Sequence, residues 1–140
     1  MNSVTFSVDR RALPARSFLR LVLLADAASS FAMGLLLVFA ARMLAQPLGL
    51  PVELLLSSGA VLLPFAAFVA YVGSRNDVRR IAVWIIIAAN AVWVIDSIAL
   101  LFTGWIEPTM LGVAFVLVQA TAVAVLAALE YVGLRKAHRA

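Results

Sequence analysis

The chain has 140 residues, of which 65% are hydrophobic and only 13% charged, whereas soluble domains carry roughly 45–50% apolar and about 25% charged residues. The composition is that of an integral membrane protein, and the length allows a single domain. Cysteine is absent and His138 is the one histidine, which excludes disulfides, thiol chemistry, a bis-histidine haem and a histidine-rich metal site within one chain; the net charge of +4 is read as membrane topology rather than nucleic-acid binding, since no soluble reading module accompanies it.

Residues 1–17 form a polar arm with Arg10, Arg11 and Arg16, and Pro14 argues against one continuous helix through it. The apolar run 18–41 is longer than the 7–15 residues of a signal-peptide core and is read as a retained first span. Asp26, Ser29, Ser30 and Met33 fall on one side of it by the i, i+3, i+4, i+7 rule. Ser30 and Gly34 make a small-xxx-small pair that lets a neighbouring backbone approach. Residues 43–51 hold Pro47, Gly49 and Pro51 and are predicted to be an interfacial turn.

The second span, 52–73, opens with Glu53 where a carboxylate suits the positive helix end, and contains Ser57, Ser58 and Pro64, the last expected to kink it. A short polar link, 74–80, leads to the third span, 81–102, which carries Asn90, Asp96 and Ser97. Polar groups at membrane depth are expensive and usually face protein or water. Trp84 and Trp93 flank the amide, and Trp105 in the next loop is placed as a headgroup anchor. The fourth span, 109–133, contains Gln119 and Glu130 and an Ala120, Ala124, Ala128 ridge; residues 134–140 form a basic tail.

Each span exceeds the ~20 residues needed to cross a bilayer, and the links are short, so each helix is expected to pack antiparallel to its sequence neighbour. Of the eleven basic residues, ten fall on the side of the termini and Arg42 alone on the other, which predicts both termini cytoplasmic. The expected fold is therefore all-α: an antiparallel four-helix membrane bundle, N-in and C-in, in a bacterial inner membrane. Ala25-Asp26-Ala27 in the first span matches Ala89-Asn90-Ala91 in the third, a faint sign that the two hairpins repeat in parallel.

Counting along the helices at about 1.5 Å per residue sorts the polar groups by depth. Asp26 and Glu130 share the inner level; facing each other, one of them would hold a proton, while the alternative is that each pairs with a basic residue such as Arg20, Arg79, Arg80 or Lys136. Asn90 and Gln119 share the middle level, where an amide pair between helices is common glue. Asp96 lies in the outer half near Ser57 and Ser58, with only Arg42 as a basic partner, and is expected to be a proton carrier, a cation or solute site, or a packing acid.

The helix count and the acid in the first span resemble small multidrug resistance transporters. The resemblance is architectural: those chains are shorter, and Leu-Ala-Asp26-Ala-Ala-Ser-Ser is not their local sequence. Asn90-Ala-Val-Trp93, Ser97, Gly104-Trp105, Pro108-Thr109 and Leu111-Gly-Val-Ala114 resemble the second hairpin of uncharacterised four-helix bacterial inner-membrane proteins, which implies no particular activity. Without a catalytic motif, cofactor site or loop large enough for a soluble active site, the chain is expected not to be an enzyme. Its expected role is helix–helix association, as a homo-oligomer or an accessory subunit of a membrane complex with lipid around it. The competing expectation is a proton- or cation-coupled transporter of a small amphipathic solute that uses the intramembrane acids.

Overall fold

A computed structural model describes residues 12–139, with side chains from Arg16 to His138. Residues 1–11 of the predicted arm, with Asp9, Arg10 and Arg11, and the terminal Ala140 lie outside the described residues. Five α-helices follow one another: α1 (Ala12–Phe39), α2 (Ala41–Leu48), α3 (Val52–Ser74), α4 (Arg80–Leu100) and α5 (Met110–Arg139). No strand occurs among the described residues. Four of the helices, all but α2, are long and apolar enough to cross a membrane.

Three local expectations change. Pro14 does not separate an arm from the first helix: α1 already starts at Ala12, so the proline falls in its first turn, where no intrahelical N–H bond is lost. The predicted tail from 134 continues α5 to Arg139. The predicted turn between the first two spans contains α2. Pro47 sits in the last turn of α2, and the helix then stops at Gly49, whose φ of 66° is the left-handed conformation that glycine adopts without penalty. Its N–H and that of Leu50 return to the carbonyls of Gln46 and Ala45, so the helix end leaves few unpaired groups.

Thr109 fastens α2 to α5. Its N–H donates to the Leu48 carbonyl (3.0 Å) and its hydroxyl to the Pro47 carbonyl (2.7 Å), while the same hydroxyl accepts from Gly112 N–H (3.1 Å) and so caps α5. The interfacial segment is thereby held against the first turn of the last helix.

The most extensive packing is between α1 and α3. It depends on two glycines: a Cβ on Gly59 would lie 2.8 Å from the Gly34 carbonyl oxygen and from Val38 Cγ2, so the two backbones touch where neither residue has a side chain. α1 also packs on α5, and α5 on α4. The expectation that every sequence neighbour packs closely does not hold for α3 and α4. These two touch least of all the packed pairs, although only five residues join them. The link fixes their ends, while their small and polar facing residues along the cleft, such as Ala88 and Ala89, leave the middle open.

Two apolar cores result. One gathers Leu19, Leu23, Val69, Val72, Val83 and Ile86 toward the basic ends of the helices, and the other gathers Leu37, Leu48, Leu55, Leu62 and Val116 toward α2. Burying one such aliphatic side chain is worth about 1.5–3 kcal/mol against water, but far less against lipid, so close packing and polar bonds carry more of the specificity here.

Candidate functional site

At the margin of the first core lie four buried polar side chains: Asp26, Ser30, Asn90 and Glu130, which are 1%, 8%, 3% and 0% exposed. Asp26 and Ser30 are one turn apart on α1, and the Ser30 hydroxyl donates to Asp26 Oδ1 at 3.1 Å. Asn90 projects from α4 between the carboxyls of α1 and α5. Its amide nitrogen donates to Asp26 Oδ2 at 2.8 Å and to Glu130 Oε2 at 3.2 Å. Glu130 Oε1 is buried and has no partner.

Three cations near these acids, Arg20, Arg135 and Lys136, are engaged elsewhere. Arg20 donates through Nε to the Gly73 carbonyl at 3.2 Å. Lys136 Nζ sits over the Phe18 ring at 5.4 Å, and Arg135 lies over the Tyr131 ring and donates to its hydroxyl at 3.3 Å. The expected alternative, in which each inner acid pairs with a flanking Arg or Lys, is therefore corrected: neither acid forms an ion pair among the described residues, and Arg20 and Lys136 turn to a carbonyl and an aromatic face at the helix ends. The two inner acids lie instead on either side of Asn90, each accepting from its amide nitrogen.

The amide pair expected between Asn90 and Gln119 does not form. Gln119 belongs to a separate network: Trp93 Nε1 donates to Gln119 Oε1 (2.9 Å), Gln119 Nε2 donates to Ser97 Oγ (3.1 Å), and the Ser97 hydroxyl donates to the Trp93 carbonyl (2.7 Å). Asn90 and Gln119 thus anchor two different polar layers. Ser97 joins the second layer rather than the first.

Asp96 stands apart from both. It is exposed on α4 and has no hydrogen-bond or ion-pair partner among the described residues; it lines the α3–α4 cleft beside Phe65 and Trp93. Ser57 is also exposed and donates only to the Leu54 carbonyl, whereas Ser58 is half-buried beside a small cavity with Trp93, Ser97 and Gln119. Asp96, Ser57 and Ser58 are not brought together.

Two larger cavities flank the Asn90 layer, one of about 500 Å³ between α3 and α4 and one of about 740 Å³ between α1 and α5. Both are lined by Ser30, Leu62, Trp93 and Val123, so Ser30 connects the acid cluster to each. Their size suits a small ligand, and their walls are largely apolar. No group of three acid, histidine or cysteine residues that could hold a metal ion forms among the described residues. What the cluster does is gather two buried carboxyls from α1 and α5 on one amide donor from α4.

The residue that sequence reasoning placed wrongly was Asn90. Its amide meets Asp26 and Glu130 rather than Gln119. No protein-family model, curated protein or solved structure matches the chain.

Proposed function

We propose that the protein is a proton-coupled membrane transporter of a small amphipathic solute, in which Asp26 and Glu130 act as one proton-carrying unit. The observation that carries this reading is a pair of buried carboxyls, bridged by one amide, with no ion pair to a cation among the described residues. Two adjacent carboxylates at membrane depth cannot both be ionised cheaply, so the pair holds one proton between them. A solute in the adjoining cavities changes the polarity next to Ser30 and Asn90, and so changes how firmly that proton is held. That linkage is the minimum needed for coupling.

In the same reading the four long helices form an antiparallel bundle in a bacterial inner membrane, with both termini cytoplasmic. The ten-to-one distribution of basic residues supports the orientation. It places the acid pair in the cytoplasmic half.

The test uses protein reconstituted into liposomes. Infrared difference spectra should show a protonated buried carboxyl that is lost in Glu130→Gln, and an imposed pH gradient should drive uptake of at least one solute from an amphipathic panel in wild type but not in Glu130→Gln or Asp26→Asn. Absence of the protonated carboxyl near pH 7, or uptake by Glu130→Gln equal to wild type, overturns the assignment.

A second reading, helix–helix association, has its own support. Only 17% of the apolar stretch of α4 and of α5 is buried, against 39% in α1 and 33% in α3. A shallow furrow of about 320 Å³ runs along α4 and α5 past Ala120, Ala124 and Ala128. A stable oligomer or a stoichiometric partner in mild detergent, lost on Ala124→Leu, would favour this role.

A further inference from the structure

The seam between α3 and α4 is the loosest in the fold, and it has two chemically different ends. At the basic end, a cavity of about 690 Å³ is lined by Tyr71, Ser74, Arg75, Asn76, Asp77 and Arg79. Further along the same seam lies the 500 Å³ cavity, where Val61, Phe65, Ala88 and Val92 form apolar walls. Arg75, which directly follows α3, is ten residues from Phe65, about 15 Å, and Arg79, which directly precedes α4, is nine from Ala88, about 14 Å. That separation matches the hydrocarbon depth of one leaflet, half of ~30 Å.

We infer that an anionic phospholipid occupies this seam, with its phosphate on Arg75 and Arg79 and one acyl chain along Phe65, Ala88 and Val92. Two arginines line the basic end against the single acid Asp77, and Arg80 adjoins them. No ion pair forms among the described residues, so neither arginine is neutralised by a carboxylate. The Arg75 guanidinium lies 5.3 Å from the centre of the Tyr71 ring, which orients the group while leaving N–H donors for a phosphate.

α3 and α4 leave between them a cleft that faces the bilayer, and Ala88 and Ala89 keep its wall shallow. A phosphate alone fills only the basic end, and a zwitterionic lipid brings its own cation against the arginines. An anionic lipid satisfies both ends at once. Its chain covers the side of the seam lined by Asn90, closing lateral access to the amide that bridges the acids.

The acyl chain takes the α3–α4 cavity and leaves the 740 Å³ cavity between α1 and α5 to the solute of the proposed transport, and the test reads bound lipid rather than uptake. The protein is assembled into nanodiscs of equal phosphatidylglycerol and phosphatidylcholine, released into mild detergent, and examined by native mass spectrometry for retained lipid. Wild type should retain phosphatidylglycerol over phosphatidylcholine. Losing two interfacial cations in Arg75→Gln/Arg79→Gln should reduce that retention about thirtyfold. Arg75→Lys/Arg79→Lys should keep much of it, and Ala88→Trp should lower it by filling the chain groove. All of these positions are exposed, so the replacements leave the core intact. Arg135→Gln/Lys136→Gln, which removes equal charge outside the seam, should leave retention unchanged. Equal retention of both lipids, equal loss in the Arg135/Lys136 control, or competition by soluble glycerol phosphate as effective as lipid would each overturn the inference.

Discussion

Replacing Asn90 by alanine tests the bridge between the three helices directly. The amide is 3% exposed and makes two bonds, at 2.8 Å to Asp26 and 3.2 Å to Glu130. Side-chain bonds between membrane helices average about 0.6 kcal/mol and reach about 1.7. The short bond belongs near the upper figure and the long one near the mean, so their loss costs about 2 kcal/mol. Leaving the carboxyl oxygens without a donor in a buried site adds about 1 kcal/mol. Asn90→Ala should therefore destabilise by about 3 kcal/mol, roughly 150-fold in the unfolding constant. Equilibrium unfolding in mixed detergent micelles, followed by circular dichroism, measures this if the transition slope is unchanged. Double-mutant cycles with Asp26→Ala and Glu130→Ala should give the larger coupling for the Asn90–Asp26 pair, in the order of the distances. A loss below about 0.5 kcal/mol, the size of an ordinary surface substitution, or the reverse order of couplings refutes the bridge.

Gly59→Ala should cost about 1–3 kcal/mol in the same unfolding assay, because its Cβ meets the Gly34 carbonyl at 2.8 Å and the α1–α3 backbones must separate. Gly49→Ala places a side chain at φ 66° and 2.7 Å from the Glu107 carbonyl; a loss of at least about 1 kcal/mol and faster hydrogen exchange at the Thr109 amide are expected. Trp93→Phe removes the indole donor to Gln119 and should cost about 0.5–1.5 kcal/mol while leaving the infrared signature of the acid pair unchanged, since the two polar layers share no hydrogen bond. Asp96→Asn should change stability by no more than about 0.5 kcal/mol, since the exposed carboxyl has no partner among the described residues to lose.

The four long helices were legible because length and hydropathy are properties of a single segment. Their predicted limits differ from the observed ones mainly at the ends, where Pro14 and the residues after 133 are both compatible with helix. The helix α2 was hidden because Pro47 and Gly49 read as a turn, and an eight-residue helix gives too short an apolar pattern to outweigh them. The pairing of polar groups was less legible than their depth. Asp26 and Glu130 were correctly placed at one level, but Asn90, counted ten residues from Arg80, was assigned to a deeper layer. That count assumes that each basic residue marks the same plane. Arg20 does not: it is drawn in to the Gly73 carbonyl, and α1 starts eight residues before it. Nor does sequence order give packing order, since α3 and α4 are neighbours in the chain but the weakest neighbours in space.

Asp96 and Asn90 show how far a lone polar residue can mislead. By sequence, Asp96 lacked a partner and so looked functional, while Asn90 looked like structural glue. In the fold, absence of a partner goes with exposure on the cleft, where a carboxyl is free to remain solvated or to meet a lipid headgroup or solute. The residue with the most partners is the one that brings two acids together. Had a basic residue occupied position 90, it would have neutralised the pair in place; an amide donates to both carboxyls without adding charge. The Asn90 side chain therefore holds the acids together without neutralising them. Asparagine opposite Asp26 is what joins the two acids without making a salt bridge.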